Sequence, residues 1–106
     1  MPQGRSSCGT DRVISDIKSG LEFLRKLGLV HDDINPRNIM LRGDGHAVII
    51  DFDSCTAVGG KSRGGTPGWS RNPRIAEFDN DEYGLELVIK YMHGEYDGQD
   101  FEAFGF

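Results

Sequence analysis

Three oxygen-bearing side chains in the middle of the chain have the types and spacing of a site for a divalent cation and for proton transfer. Asp33 and Asn38 lie within the polar segment HDDINPRN, and Asp51 follows the apolar residues 47–50. Carboxylate and amide oxygens are the ligands that Mg²⁺ prefers in proteins. We expect the amide and one carboxylate to bind Mg²⁺, while the remaining carboxylate acts as a base or orients a nucleophile.

A predicted β-hairpin would bring these side chains together. Two apolar stretches, residues 39–41 and 47–50, flank a turn that contains an Asp-Gly pair. The two ends of a hairpin lie side by side, so Asn38 before the first strand is expected beside Asp51 after the second. Asp33 is expected just outside the same cleft.

Helical spacing of apolar residues predicts one helix on each side of this region. The first covers residues 11–27, with Thr10 as its N-cap and Gly28 as its C-terminal stop. The second covers residues 81–93, and the residues expected to form its buried face are Tyr83, Leu87, Val88, Tyr91 and Met92. Residues 54–74 are rich in Gly, Ser and Pro, and a loop of this length is either disordered or functional.

Composition and charge limit the class of protein. The chain has 106 residues, of which 37% are hydrophobic and 27% charged, which is ordinary for one small globular domain. It has no apolar run long enough to span a bilayer and no secretory signal at its N-terminus. We therefore expect an intracellular, cytoplasmic location without membrane contact. The net charge of −5, with scattered basic residues, argues against nucleic-acid binding.

Four segments, in this order along the chain, resemble motifs of the protein kinase superfamily. Residues 31–38, HDDINPRN, resemble the catalytic loop H-R-D-L-x-x-x-N, and residues 51–53, DFD, resemble the D-F-G metal motif. Residues 65–69, GTPGW, are similar to the G-T-P-x-Y segment at the end of a kinase activation loop. Residues 81–85, DEYGL, are similar to the start of the helix behind the kinase active site.

The resemblance implies roles for the residues that carry chemistry. Asp33 would be the catalytic base that receives the proton of the substrate hydroxyl, and Asn38 and Asp51 would hold the Mg²⁺ ions that bridge the phosphates of ATP. Thr66 would contact Asp33 through its hydroxyl, and Thr66 and Asn35 would position the substrate. The implied partners are ATP and a protein substrate that carries a Ser or Thr hydroxyl.

The resemblance also implies structural residues and a fold. His31 would pack near Phe52, and Asp81 would hydrogen-bond the backbone of the catalytic loop. The fold class expected is α+β, as a fragment of the kinase large lobe that is mainly α-helical with a small β-hairpin. The expected organisation is a disordered N-terminus at residues 1–10, a partial kinase-like catalytic domain at 11–94 and a tail at 95–106.

Several positions depart from the family pattern. Asp32 replaces the arginine that often pairs with a phosphorylated activation loop, Asn35 replaces a lysine that stabilises the transferred phosphoryl group, and Asp53 replaces the glycine of D-F-G. The glycine-rich ATP loop, the lysine-bearing strand and the glutamate of the αC helix have no counterpart. We therefore expect a fragment, a truncated gene model or a degenerate copy with little or no kinase activity by itself.

Two alternatives to a protein Ser/Thr kinase stay open on the sequence. A small-molecule kinase of the aminoglycoside or choline type shares H-x-D-x-x-x-x-N and tolerates an acidic residue after its metal aspartate, so Asn35 and Asp53 favour it. The missing ATP clamp favours a catalytically inactive pseudokinase fragment that acts as an interaction module. The segment GTPGW favours the protein kinase, because small-molecule kinases lack such a peptide-binding segment.

Overall fold

The computed structural model of this chain describes residues 3–95, which form two helices with short antiparallel strands between them. Helix α1 spans Gln3–Lys26, and helix α2 spans Phe78–Met92. This mixture of helices and small sheets confirms the α+β class. No helix within the described residues is long and apolar enough to cross a membrane. The expected tail lies outside the described residues, apart from Glu95.

Helix α1 begins at Gln3, so the expectation of an N-cap at Thr10 is wrong. Once a helix is nucleated, each added residue gains one hydrogen bond, which lets weak helix formers continue it. Its end is as expected, because Gly28 adopts a φ of 74° and its N–H donates to the carbonyl of Arg25. Ile17 and Leu24 are buried along its inner face.

The predicted hairpin is confirmed. Strand β2, Ile39–Leu41, pairs antiparallel with strand β3, Ala47–Ile49, and Ile39 lies opposite Ile49. Side chains alternate between the two faces of a strand, and this opposing pair is the buried one. The hairpin therefore packs on α1 through a single apolar layer.

A second pair of strands was missed by the sequence analysis. Strand β1, Leu29–Val30, pairs antiparallel with strand β4, Thr56–Ala57. Two residues are too few to show a period of two, so the pattern of apolar residues could not reveal them. This pairing joins the chain just after α1 to the start of the long loop.

The long loop of residues 54–74 is folded. Beyond β4, its two arms exchange backbone hydrogen bonds: the Gly59 N–H donates to the Ala76 carbonyl at 2.7 Å, and the Ala76 N–H donates to the Gly60 carbonyl at 2.9 Å. The Ser62 N–H donates to the carbonyl of Arg74 at 2.9 Å. These bonds close the loop at its base and fix the path of the residues within it.

Helix α2 begins at Phe78 and buries a different face from the one predicted. Its buried residues are Asn80, Asp81, Gly84, Leu85 and Val88. Of the predicted set, Val88 is buried, and the others are half-buried. The difference has a physical reason, since the deepest part of α2 faces a polar loop and uses polar and small residues that hydrophobic periodicity cannot mark.

The apolar core joins every segment that approaches the site. It consists of one residue of α1, two of the hairpin, two of α2 and two from loops, namely Ile17, Ile39, Ile49, Leu85, Val88, Ile34 and Trp69. Ile34 comes from the segment HDDINPRN and is 0% exposed, and Trp69 comes from the long loop and is 1% exposed. Both loops are therefore anchored by a buried apolar side chain.

Helix α2 approaches the segment HDDINPRN most closely at Gly84. A Cβ atom on Gly84 would lie 2.6 Å from the carbonyl oxygen and 2.9 Å from the Cβ of Ile34. Both distances are shorter than van der Waals contact, and the neighbouring atoms belong to backbone or to its first side-chain carbon. Glycine is therefore required for this contact between helix and loop.

We expect Gly84→Ala to lower the free energy of unfolding by about 1–3 kcal/mol, because overpacking outweighs the better helix propensity of alanine. Gly20→Ala in α1 is the matched control. Its new Cβ would meet only the flexible end of the Ile49 side chain, at 2.9 Å, so a neutral or slightly stabilising effect is expected. Urea denaturation measures both, and equal losses in the two variants would contradict the close approach.

Candidate functional site

His31 connects the segment HDDINPRN to the end of the hairpin. Its Nε2–H donates to the carbonyl of Ile50 at 3.0 Å, and its Nδ1 accepts from the N–H of Asp33 at 3.2 Å. The ring of Phe52 packs edge-on against it, with 5.1 Å between centroids. The imidazole is 0% exposed, so it acts as a buried brace between Asp33 and the residues around Asp51.

Asp81 of α2 holds the backbone of the same segment. Its Oδ2 accepts from the N–H of His31 and its Oδ1 accepts from the N–H of Asp32, both at 2.8 Å. Burial raises the pKa of the Asp81 carboxyl, against the opposing effect of these two N–H groups. Asp32 has a left-handed φ of 69°, so the backbone here belongs to no helix or strand that could pair its N–H groups. The Asp81 carboxylate provides the acceptor that these two buried N–H groups need.

The carboxylate of Asp33 is fixed by three hydrogen bonds. Its Oδ1 accepts from the side-chain amide of Asn35 and from the backbone N–H of Thr66, both at 2.8 Å. Its Oδ2 accepts from the side-chain amide of Asn38 at 3.2 Å. All three donors are neutral, so the group is oriented without a cation bound to it. A half-buried, oriented carboxylate of this kind can accept a proton from a nearby hydroxyl.

Thr66 meets Asp33 through its backbone, which differs from the expected contact of its hydroxyl. The Thr66 hydroxyl oxygen instead accepts from the Asn35 amide at 3.2 Å. The Asn35 amide nitrogen lies between the two residues and donates to both. Asn35 also caps the 3-10 helix Pro36–Asn38 by accepting from the N–H of Arg37. Its short side chain therefore links the loop, Asp33 and Thr66.

Gly65 permits the long loop to reach Asp33. A Cβ on Gly65 would overlap the carbonyl oxygen of Asp32 and would lie 3.1 Å from the Cγ of Asp33. The backbone of the long loop thus lies directly on the backbone of HDDINPRN. The motif GTPGW places its first residue where no side chain fits, and the next residue then donates to the carboxylate.

Asn38 and Asp51 occupy adjacent ends of the hairpin, as the sequence predicts. The N–H of Ile50 donates to the carbonyl of Asn38 at 2.8 Å, which places the residue before Asp51 against Asn38. The Asn38 amide nitrogen donates to Asp33, which leaves its amide oxygen to coordinate a cation. Asp51 has a left-handed φ of 60° and an exposed side chain, and its Oδ1 accepts from the Asp53 N–H at 3.3 Å.

This pair fits Mg²⁺ that is bound together with phosphate oxygens. Among residues 3–95, no group of three or more His, Cys, Asp or Glu side chains is arranged to hold a metal ion. One carboxylate and one amide oxygen are too few to form a complete magnesium site. Mg²⁺ in proteins is often held by one or two carboxylates and completed by the phosphates of a nucleotide. The donor set therefore suits a magnesium–nucleotide complex and not an independent structural metal.

Sequence reasoning missed Asn80 and Ser62. Asn80 is 1% exposed, and its amide donates to the carboxylate of Asp32 at 2.9 Å and to the carbonyls of Asn72 and Ile75, both at 3.0 Å. A polar residue at the start of a helix is typical of a cap, so no sequence signal distinguished it. Ser62 donates to the same carboxylate from the long loop, and its position among other small polar residues gave no signal.

We expect Asp81→Ala to lower the free energy of unfolding by about 2–4 kcal/mol, because two buried N–H groups lose their acceptor while the cost of a buried charge is removed. Asp79→Ala, an exposed residue of the same helical turn, is the control. It should cost about 0.3–1 kcal/mol through the helix dipole alone. Thermal unfolding followed by circular dichroism measures both variants. Equal melting temperatures for wild type and Asp81→Ala would contradict the tether.

Known proteins with similar sequences match part of this chain. It is 46% identical over 46 residues to 3-phosphoinositide-dependent protein kinase 1 of Caenorhabditis elegans, which is 43% of this chain and 7% of that protein. It is 44% identical over 41 residues to the serine/threonine-protein kinase WAG1 of Arabidopsis thaliana, which is 39% of this chain and 9% of that protein. These alignments thus cover a small part of each relative.

The family match extends over most of the chain. A family model of the protein kinase domain matches residues 5–87, which include HDDINPRN, DFD, GTPGW and the first part of α2. The expected resemblance to the protein kinase superfamily is therefore confirmed. By this match, the chain belongs to the protein kinase domain family, a family of ATP-binding transferases.

Proposed function

We propose that this chain provides the catalytic-loop region of a protein Ser/Thr kinase, which transfers the γ-phosphate of ATP to a hydroxyl group of a protein. The observation that carries the proposal is the Asp33 carboxylate, held by Asn35, Asn38 and the N–H of Thr66. A carboxylate so oriented, beside an amide oxygen and an exposed carboxylate that suit magnesium, fits phosphoryl transfer better than a structural role.

In this proposal Asp33 acts on the substrate hydroxyl. Its carboxylate accepts the hydroxyl proton as the oxygen forms a bond to the γ-phosphorus of ATP and the bond from that phosphorus to the β-phosphate oxygen breaks. The three neutral donors keep the carboxylate in one orientation, which is the main contribution the protein can make to such a loose transition state. Asn35 and Thr66 position the substrate hydroxyl that accepts the phosphoryl group.

Asn38 and Asp51 are the proposed magnesium ligands. Mg²⁺ neutralises negative charge on the phosphates when it is bound. Asn38 lies on the loop that carries Asp33 and directly precedes β2, and Asp51 follows β3, the strand paired with β2. The site thus links phosphate binding to the position of the base through one short hairpin.

A protein substrate is favoured by the way the long loop reaches the base. Residues 65–69, GTPGW, lie on Asp33 through Gly65 and Thr66 and are anchored by the buried Trp69. This places a fixed turn of the long loop, closed by the Trp69 N–H donating to the Thr66 carbonyl at 3.2 Å, beside the proposed base, where a bound peptide could contact it. A small-molecule kinase has no need for such a segment. The fold is accordingly proposed to be a fragment of the kinase large lobe.

The test is the transfer of labelled phosphate from ATP by the protein in its full natural length, with generic proteins, amino sugars and choline as acceptors. We expect label on Ser or Thr of protein, and an Asp33→Asn variant that still binds Mg²⁺–ATP but transfers about 100-fold more slowly or worse. Asp11→Asn, an exposed residue of α1, is the control and should transfer at the wild-type rate.

Two outcomes would overturn the proposal. Label on amino sugars or choline alone would assign the protein to the small-molecule kinases. Binding of Mg²⁺–ATP without transfer to any acceptor would assign it to the inactive members of the family. Transfer by Asp33→Asn at the wild-type rate would not change the family assignment, but it would show that Asp33 is not the catalytic base.

A further inference from the structure

Asp32 is a buried carboxylate whose side-chain partners are neutral. It is 1% exposed, and its Oδ2 accepts from the hydroxyl of Ser62 at 2.6 Å while its Oδ1 accepts from the Asn80 amide at 2.9 Å. Hydrogen bonds to a charged acceptor are shorter and stronger than those between neutral groups. The Ser62 bond has the length of this stronger class, and it joins residues 30 positions apart.

Ser62 is also fixed within its own loop. Its N–H donates to the carbonyl of Arg74 at 2.9 Å, and its hydroxyl oxygen accepts from the N–H of Gly64 at 3.2 Å. The residues that follow are Gly65, which lies on the Asp32 carbonyl, and Thr66, whose N–H donates to Asp33. Ser62 therefore stands at the point where the long loop turns toward the base.

We propose that Ser62 is a positioning residue whose uncharged hydroxyl, donated to the buried Asp32 carboxylate, holds the long loop on the Asp33 loop. The long loop is thereby ordered without a phosphate on it. A negative charge at residue 62 releases it instead. The positioning role rests on the proposed function, but the hydrogen bond and its effect on loop order do not.

The sign of the effect follows from the chemistry of the pair. The Asp32 carboxylate is an acceptor, so it requires a donor opposite it. A carboxylate or a phosphate at residue 62 would place a like charge against the buried Asp32 carboxylate, where water screens their repulsion less than at an exposed surface. Where a basic residue lies opposite the loop, a phosphate on the loop strengthens their contact. Here the residue opposite is a carboxylate, so a phosphate at residue 62 would weaken the contact.

The experiment measures amide hydrogen exchange at Thr66 by NMR in the purified chain, with global unfolding followed separately by urea denaturation. Ser62→Ala removes the donor, Ser62→Thr keeps it, and Ser62→Asp adds a second carboxylate. We expect exchange at Thr66 to be about tenfold or more faster in Ser62→Ala, near wild type in Ser62→Thr and fastest in Ser62→Asp. Ser70→Ala, half-buried in the same loop, is the control and should leave the rate unchanged.

A double variant that moves the negative charge from residue 32 to residue 62 keeps the proposal testable if Ser62→Asp alone is poorly folded. In the double variant Ser62→Asp with Asp32→Asn, the new amide can accept from Asn80 and donate to the new carboxylate. We expect the double variant to recover protection at Thr66 relative to Ser62→Asp alone. Protection in Ser62→Ala equal to wild type, loss of protection in Ser62→Thr, or no recovery in the double variant would each overturn the proposal. None of these readouts needs phosphoryl transfer, so the proposed function can fail independently.

Discussion

The two hydrogen bonds from the Asp81 carboxylate to the backbone N–H groups of His31 and Asp32 determine how the segment HDDINPRN is held. A loop that turns through a left-handed residue cannot satisfy its own N–H groups, and a buried N–H without an acceptor costs about 1–3 kcal/mol. Helix α2 supplies the acceptor from its first turns. The loop with the proposed catalytic base is therefore fixed to α2 by contacts between residues 49 and 50 positions apart in the sequence.

Other contacts extend this arrangement outward from Asp81. Because the backbone at His31 is fixed, its imidazole can bridge the N–H of Asp33 and the carbonyl of Ile50. That bridge couples Asp33, the proposed base, to the end of the hairpin, where Asp51 lies. Gly84 allows α2 to approach closely enough for these bonds, since it lies against the backbone of Ile34. The site is thus a consequence of polar and small residues on one buried helical face.

Features with a local signal in the sequence were predicted, and features set by tertiary contacts were not. The hairpin was predicted because two apolar runs flank a turn, and the meeting of Asn38 with the end of β3 follows from hairpin geometry. The buried face of α2 was not, since Asn80, Asp81 and Gly84 are residues that periodicity assigns to a surface or a cap. Strands β1 and β4 were too short to show a pattern.

The details of the Asp33 cluster show a second limit. Resemblance to a family led to the expectation that the Thr66 hydroxyl contacts Asp33, but the Thr66 backbone makes that bond and the hydroxyl turns to Asn35. Asn35 stands where the family has a longer basic side chain, and its short amide fits between the two. The effect of a shorter side chain at residue 35 depends on which polar atoms come within hydrogen-bond distance of each other. Composition and motif spacing do not predict these interatomic distances.

The most direct test of the central claim, that Asn38 and Asp51 converge to bind magnesium with a nucleotide, is paramagnetic NMR with Mn²⁺ in place of Mg²⁺. We expect Mn²⁺ with ATP to broaden the Asn38 side-chain amide and the Asp51 backbone amide most strongly, and Asp51→Ala to abolish that broadening. Broadening that is the same without ATP, or that is centred on the exposed acidic residues Asp79, Glu82 and Glu86 of α2, would contradict it.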